Sequence, residues 1–280
     1  IKKLGFSEDN LKVFKQLIEM PYGIVLVVGP TGSGKTTTLH AALTQINRPE
    51  SKILTAEDPV EITQMGLRQV QVQSKIGLSF ATAMRAFLRH DPDVIMVGEM
   101  RDEETARIGI EASLTGHLVL STLHTNSAPE TVTRLLDMGI DPFNLADALL
   151  GIVAQRLVRT LCTSCKQAYH PTEQQFHSLI MDYGEADSHR LNLSHRPDLT
   201  LNRKRGCETC NHTGYYGRTA IQELMVGTDQ IKRLIQMRRP TEEIRKQAKK
   251  DKMVTLKQDG IKKVIQGLTD ITEVRKVCIR

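Results

Sequence analysis

The sequence predicts an α/β fold built on a mostly parallel sheet, with a helical region at the C-terminal end. Three observations lead to this prediction. Short apolar strands alternate with helical segments, a glycine-rich loop joins one strand to the next helix, and the last 40 residues, 241–280, are helical in pattern. At 280 residues, the chain is long enough for one large core or for one core and a smaller module.

The predicted strands are continuous runs of apolar and often β-branched residues. Continuous runs are typical of parallel strands that are buried on both faces, whereas strands with one exposed face alternate. In the second helical segment, Phe80, Met84 and Phe87 share one face. The predicted strands are residues 24–28, 53–54, 94–97 and 118–120, and the helices between them are residues 36–46 and 80–89.

The C-terminal region carries signals for helix ends. Thr, Asp and Gln side chains at the start of a helix accept or donate hydrogen bonds to its unpaired backbone groups, and glycine commonly ends a helix. Gly267 is the predicted stop, and the polar residues 190–205 are predicted to form a loop. The predicted helix starts are Thr241, the capping box of Thr255 with Gln258, and Asp270 with Glu273.

Residues 29–36 (GPTGSGKT) fit the phosphate-binding pattern G-x-x-x-x-G-K-[ST] between a strand and a helix. Its glycines let successive N–H groups point at one anion, and the helix start adds a positive dipole end. Lys35 is predicted to lie between the β- and γ-phosphates of a nucleotide, and the Thr36 hydroxyl to bind Mg²⁺. The predicted nucleotide-binding residues are Gly29, Pro30, Thr31, Gly32, Ser33, Gly34, Lys35, Thr36 and Thr37.

Hydrolysis of a nucleotide needs an anchored metal and an oriented water, so carboxylates are expected at the ends of neighbouring strands. Glu99 follows strand 94–97 and is predicted to hold Mg²⁺ through water or to polarise the attacking water. Residues 57–61 (EDPVE) follow strand 53–54, and a carboxylate there, Glu57 in particular, is the candidate general base. The alternative for each acid is a helix cap.

Two histidines flank the strand at 118–120, His117 before it and His124 after it. A lone histidine is more often structural. Two histidines around a strand beside a phosphate loop favour a sensor of the γ-phosphate, and both are predicted to have that role.

Together and in this order, the phosphate loop, residues 57–61, residues 98–102 (GEMRD) and residues 115–125 resemble the secretion ATPase superfamily, the hexameric motors of bacterial type II secretion and type IV pilus assembly. The resemblance covers essentially the whole chain. It implies a RecA-like fold that uses ATP with Mg²⁺, with Glu57 as the water-activating carboxylate and Glu99 as the Walker B acid.

The same resemblance implies a homo-hexamer at the cytoplasmic face of the inner membrane, peripheral to it. The implied partners are an inner-membrane platform protein and other secretion or pilus components, with no nucleic acid. The family has a preceding domain whose arginines reach a neighbour's nucleotide. Since the sequence starts at Ile1 and is soon helical, we expect a fragment of a longer protein.

Two C-x-x-C pairs, Cys162 with Cys165 and Cys207 with Cys210, supply the ligand set of a structural zinc site. Between positions 165 and 207 lie 41 residues, so a loop must leave the site and return. A redox disulfide is the alternative. By the resemblance, a tetracysteine insertion marks assembly and secretion motors rather than retraction motors. Cys278 is predicted to be an ordinary thiol.

The predicted domains are a RecA-like ATPase core (1–158), a tetracysteine zinc-binding insertion (159–218), and a return strand with a C-terminal helical subdomain (219–280). Arg218 in the return strand, and Arg85 and Arg89 one helical turn apart, are candidates for subunit-interface or nucleotide-facing charges. A structural role is the alternative for each.

Composition weighs against other classes of protein. Aromatic residues make up 4% and tryptophan is absent, which disfavours base stacking and hence the alternative of a RecA-like nucleic-acid translocase or helicase. No N-K-x-D segment of a GTPase is present, and no apolar run approaches the length of a membrane span. The net charge of +6 hints at an anionic partner, although a solvated basic face explains it as well.

Overall fold

A computed structural model describes residues 4–191 and 199–278. The strands are β1 (Gly23–Val28), β2 (Ile53–Glu57), β3 (Leu67–Gln71), β4 (Val94–Val97), β5 (Leu118–Leu123), β6 (Leu149–Leu161), β7 (Gln167–Tyr169), β8 (Leu201–Arg203) and β9 (Tyr215–Val226). The helices are α1 (Glu8–Ile18), α2 (Lys35–Ile46), α3 (Phe80–Phe87), α4 (Glu103–Leu114), α5 (Ala128–Asp137), α6 (Pro142–Ala148), α7 (Glu173–Tyr183), α8 (Asp229–Gln236), α9 (Thr241–Lys250), α10 (Leu256–Ile265) and α11 (Ile271–Val277).

The chain divides into two compact units. The first comprises Ser7–Gln155 and Glu223–Met253 among the described residues, and the second comprises Leu4–Phe6, Arg156–Gln222 and the chain from Val254 onward. This division assigns α8 and α9 to the first unit, whereas the sequence-based boundaries place them with the C-terminal subdomain. Those boundaries remain a prediction.

A seven-stranded sheet has the order β3-β2-β4-β5-β1-β6-β9. The five pairs from β3 to β6 are all parallel. Every residue of β1, β2, β4 and β5 is buried, so both faces of these strands are covered. The predicted α/β fold with a mostly parallel sheet is thereby confirmed.

In the first unit, polar side chains fix the starts of most helices. Ser79, Asp102 and Ser127 accept a hydrogen bond from the backbone N–H three residues later, at the starts of α3, α4 and α5. The cap predicted at Thr241 is wrong, because Pro240 precedes α9 and makes no side-chain cap bond. The Thr241 hydroxyl instead hydrogen-bonds that of Thr133 at 2.6 Å.

The second unit has its own apolar core. Its buried members come from α7, β8, α10 and α11, and they are Leu179, Tyr183, Leu201, Ile261, Val264 and Val274. The capping box of Thr255 with Gln258 and the cap of Asp270 on the N–H of Glu273 are both present, and Gly267 follows the end of α10 with φ of 70°. These three predictions are confirmed.

The loop predicted at residues 190–205 is only partly described, because residues 192–198 lie outside the described residues. Within the described part, residues 201–203 form β8, which pairs antiparallel with β7. The loop prediction is wrong there. Hydrogen bonds to a strand more than 30 residues away outweigh the local polar composition.

An ion pair joins β6 to α11 in the second unit. Arg159 donates to both carboxylate oxygens of Glu273, at 2.9 and 2.5 Å, and its guanidinium lies 4.1 Å from the centre of the Tyr215 ring. The hydrogen bond from Arg159 holds the pKa of Glu273 below its usual value of 4.5. The contact therefore favours the ionised carboxylate.

None of the helices in the described part of the chain has the length and hydropathy that a bilayer-spanning segment requires.

Candidate nucleotide-binding site and cysteine cluster

The glycine-rich loop lies between β1 and α2, as predicted. Gly34 is the N-cap of α2 with φ of 84°, in the left-handed region that favours glycine. A Cβ on Gly29 would lie 2.4 Å from the Gln155 carbonyl oxygen, so only glycine fits there. The first turn of α2 contains no acidic residue. These features leave a positive helix end and a close-packed loop, which together suit an anion.

Lys35 is buried and folds back over this loop. Its Nζ donates to the carbonyl oxygens of Gly29 at 3.0 Å and Pro30 at 3.1 Å. The side chain thus brings its charge to the mouth of the loop. Thr36 and Thr37 follow in the first turn of α2, half-buried and exposed respectively.

Gln155 holds the loop from the neighbouring strand, although no sequence pattern pointed to it. From β6, its Nε2 donates to the Ser33 carbonyl at 2.6 Å, and its Oε1 accepts from Thr38 Oγ1 at 2.9 Å. A separation of 122 residues between Gln155 and Ser33 hides this contact from sequence analysis.

The predicted acids lie at the same edge of the sheet as the loop. In the parallel register, Ala56 pairs with Val97, Val97 with Ser121, and Leu123 with Val28. Glu57 therefore ends β2, and Glu99, His124 and Gly29 follow the carboxyl ends of the three strands next to it in the sheet. The Gly29 N–H confirms this register by donating to the Leu123 carbonyl at 3.3 Å.

Glu57 is buried and hydrogen-bonded on both oxygens. Oε1 accepts from Thr55 Oγ1 at 2.6 Å and from Gln69 Nε2 at 2.9 Å. Oε2 lies 2.9 Å from Nε2 of His40 on α2. Burial would raise the pKa of Glu57, but the hydrogen bonds from His40, Thr55 and Gln69 outweigh it and hold the pKa below 4.5. Glu57 is therefore an ionised acceptor with a fixed orientation.

Glu99 contacts two cationic or titratable side chains. Arg101 pairs with Oε1, and His124 Nε2 lies 3.4 Å from Oε2. The Glu99 side chain is 12% exposed and that of His124 is 50% exposed. The structure thus brings Glu99 and His124 together at the edge that carries the phosphate loop.

His117 lies at the opposite edge of the sheet. Its carbonyl accepts from the Gly23 N–H at the start of β1, and its Nδ1 lies 2.9 Å from the Ala112 carbonyl. Seven residues along β5 separate it from His124, which corresponds to roughly 20 Å. The sensor role of His117 remains a prediction, and no described contact joins it to the phosphate loop.

The three candidate arginines lie at different places. Arg85 on α3 pairs with Glu104 on α4, and both side chains are about half exposed. Arg89 is exposed in a short 3₁₀ helix, Leu88–His90. Arg218 is exposed on β9, where it lines an open cleft in the second unit with Arg159, Thr213, Tyr215 and Gly217. Their interface or nucleotide-facing roles remain predictions.

The four cysteines of the two C-x-x-C pairs converge in the second unit. All four are free thiols, and their Sγ atoms lie within 4.8 Å of one another. Individual Sγ–Sγ distances are 3.9 Å for Cys162 with Cys207 and 3.8 Å for Cys165 with Cys210. Sulfur atoms about 2.3 Å from one tetrahedral zinc would be about 3.8 Å apart, so the cluster fits such an ion.

Backbone N–H groups point at these sulfur atoms. Gly206 donates to Cys165 Sγ at 3.3 Å, and Cys207 and Gly214 donate to Cys210 Sγ at 3.3 and 3.2 Å. Desolvation opposes ionisation of Cys210, yet the backbone N–H groups of Cys207 and Gly214 lower its pKa to about 6. Desolvation raises the pKa of Cys165 to about 11, so these N–H groups favour the thiolate, the form that binds a metal, at Cys210 in particular.

The sequence of this chain is similar to one family model and to several known proteins. The family model described as "Type II/IV secretion system protein" matches residues 1–276. Type II secretion system protein E of Pseudomonas aeruginosa is 47% identical over 99% of this chain and 53% of its own length. The type IV pilus assembly ATPase PilB of Myxococcus xanthus is 49% identical over 97% of this chain and 46% of its own length. The chain thus spans about half the length of these relatives.

A solved structure is also similar. The pilus retraction motor PilT with bound ADP has a TM-score of 0.69 and 29% identity, over 100% of this chain and 66% of that one. The Legionella pneumophila ATPase DotB, at 23% identity and a TM-score of 0.67, shares the fold.

Proposed function

Because this chain belongs to the type II/IV secretion system protein family, we propose that it is the ATPase domain of a motor for type IV pilus assembly or type II secretion. The observation that carries the proposal is that the candidate residues lie at one edge of the sheet. Glu57 ends one parallel strand there, and Glu99, His124 and the phosphate loop follow the three strands next to it. Parallel α/β sheets bind ligands at this edge.

In this proposal the loop and the start of α2 bind the phosphates of ATP. Backbone N–H groups of the loop and of the first turn of α2 face the anion, and Lys35 exchanges its two carbonyl contacts for the β- and γ-phosphates. Thr36 and, through water, Glu99 would hold Mg²⁺. When bound, that ion neutralises charge that develops on the phosphates.

Glu57 acts as the base in the proposed reaction. A water oxygen bonds to the γ-phosphorus, the bond from that phosphorus to the bridging oxygen breaks, and the water proton passes to a carboxylate. ADP leaves with the electron pair of the broken bond. Glu57 is unprotonated and held in one orientation, so it can accept the proton, while the hydrogen bonds that lower its pKa limit its strength as a base. His124, beside Glu99, registers whether a γ-phosphate is present.

The cysteine cluster would hold one structural zinc ion. All four ligand positions are supplied by sulfur, so no position is open to a substrate. The relatives named for secretion and pilus assembly support the proposed system. By family resemblance, the motor would act as a homo-hexamer on the cytoplasmic side of the bacterial inner membrane. Its partners there would be a platform protein and other secretion or pilus components.

ATP turnover by the full chain, measured with and without DNA, tests the proposal. We expect Mg²⁺-dependent turnover that DNA does not stimulate. Strong stimulation by DNA would support a nucleic-acid translocase instead, and an absence of turnover in the full chain would refute the ATPase assignment.

A further inference from the structure

A buried histidine from the phosphate-loop helix contacts Glu57. His40 lies on α2, five residues after Lys35, and its side chain is 2% exposed against 3% for Glu57. Nε2 of His40 lies 2.9 Å from Oε2 of Glu57. A titratable pair with this little solvent contact is strongly coupled, since water hardly screens it.

Hydrogen bonds leave Glu57 with a single place to receive a proton. An ionised carboxylate has about four acceptor positions, two on each oxygen. Thr55 and Gln69 occupy those of Oε1, and His40 occupies one on Oε2. The remaining position is on Oε2, so a proton taken from water arrives at the atom that His40 contacts.

The other ring nitrogen of His40 has no obvious structural use. Nδ1 is buried, and it makes no hydrogen bond to any part of the chain that the structure describes. It is an unpaired acceptor in the neutral ring and an unpaired donor in the charged ring, and both are unfavourable. A purely structural position would be better filled by a side chain without this second polar atom.

We propose that His40 is a positioning residue that fixes the Glu57 carboxylate and, through its own protonation state, sets how readily Glu57 accepts a proton from the attacking water. This inference rests on the proposed function, in which Glu57 is the base. His40 does not touch the phosphates in this scheme and acts only through Glu57.

The charged groups around the His40 ring determine whether turnover rises or falls with pH. Among the described residues, the acidic groups that act on His40 are Glu57 on β2 and Glu61 in the loop after it. The Gln64 side chain, whose Nε2 donates to the His40 carbonyl at 3.1 Å, also favours the charged ring. The hydrogen bond to Glu57 raises the pKa of His40 above 6.5, against the opposing effect of burial. A charged His40 stabilises ionised Glu57 and weakens it as a base. Turnover should therefore rise with pH as His40 loses its proton.

Three variants of the full chain separate these effects. His40→Gln keeps a neutral N–H donor for Glu57 but cannot titrate, whereas His40→Phe removes the donor. His189→Gln is the matched control, since His189 is exposed and, among the described residues, its ring contacts the Ala186 carbonyl of its own 3₁₀ segment. For each variant, kcat and KM for ATP are measured between about pH 5 and 9, the range in which histidine titrates.

We expect the acidic limb of the wild-type kcat profile to disappear in His40→Gln, with kcat near the wild-type maximum. In His40→Phe we expect the acidic limb to disappear as well, with kcat roughly tenfold below the wild-type maximum and KM nearly unchanged. His189→Gln should reproduce the wild-type profile. A wild-type profile in His40→Gln would overturn the inference. A wild type without turnover would overturn the proposed function itself.

A second measurement, made without ATP, tests the contact between His40 and Glu57 even if the other variants misfold. With ¹³C-labelled histidine, the Cε1 resonance of His40 is titrated in the wild type and in Glu57→Gln. We expect the pKa of His40 to fall by about one unit or more when the carboxylate is removed. A pKa that does not change would contradict the proposed coupling, whatever the activities of the variants.

Discussion

His124 Nε2 lies 3.4 Å from Glu99 Oε2, at the sheet edge that carries the phosphate loop. The histidine is half exposed and the carboxylate is mostly buried, so the pair reaches from the interior of the sheet to its surface. His117 precedes the strand that His124 follows, and it lies at the other edge. This asymmetry separates two residues that the sequence presents as equivalent.

His124→Ala should lower kcat for ATP roughly tenfold with little change in KM, because it removes a contact to Glu99 rather than to the loop. His117→Ala should mainly lower the melting temperature, since His117 contacts the Ala112 carbonyl at the end of α4. Steady-state kinetics and thermal melting of both variants check this. An equal loss of kcat in the two would contradict the distinction.

Glu99→Gln should bind ATP and hydrolyse it slowly, by a factor of roughly 100 or more. The amide keeps the shape of the side chain but loses the charge that, in the proposed function, acts on the metal ion and the attacking water. Nucleotide binding by fluorescence and turnover by phosphate release are compared. Glu104→Gln is the control, because Glu104 is an exposed acid on α4 that pairs with Arg85. Normal turnover in Glu99→Gln would refute the assignment.

Lys35→Ala should abolish ATP turnover and weaken nucleotide binding strongly. The substitution removes the cation that lies over the loop, bonded to the Gly29 and Pro30 carbonyls. Lys12→Ala, at an exposed position of α1, should bind and turn over ATP normally. Turnover in Lys35→Ala close to that of Lys12→Ala would show that the loop is not the catalytic nucleotide site.

Metal analysis of the purified full chain should find about one zinc per chain. Cys162→Ser and Cys210→Ser should lose most of this metal and melt at lower temperature, because each removes one of four ligands. Cys278→Ser should keep the zinc, since Cys278 is outside the cluster. A wild type that contains no metal after purification without chelators would refute the zinc assignment.

Glu273→Gln should destabilise the protein at neutral pH and not in acid. Because its folded pKa is lowered from 4.5, Glu273 adds stability above that value and loses it as pH falls through the folded pKa. The half-exposed Arg159 limits the effect to about 2–4 °C in melting temperature. Melting followed by circular dichroism at several pH values tests this, with exposed Glu242→Gln as the control. A difference that persists in acid would contradict it.

The sequence was sufficient to predict the parts of the site that are formed by residues close together in the chain. The phosphate loop needs a strand, glycines and a helix start in sequence, and these are consecutive in residues 24–46. Glu57 and Glu99 could be placed at strand ends because buried parallel strands are recognisable as apolar runs. Because parallel pairing brings the carboxyl ends of strands to one edge of the sheet, no further information was needed to predict that the two acids lie at the same edge.

His40 and Gln155 could not be predicted in this way. Their partners, Glu57 and Ser33, are 17 and 122 residues away, and the contacts depend on strand order and register. The same limit explains the errors at Thr241 and in residues 201–203. In both places a distant partner, the Thr133 hydroxyl or strand β7, determines the local structure.

The register of β5 also constrains how a signal can leave the nucleotide site. β5 pairs with β1 over all six of its residues and with β4 over residues 118–121. A slip of one residue would break both ladders and turn every buried side chain to the opposite face. Pairing on both sides therefore fixes the position of the strand between its two flanking histidines. In the proposed function, loss of a phosphate would therefore be registered by the His124 side chain rather than by a shift of the strand backbone.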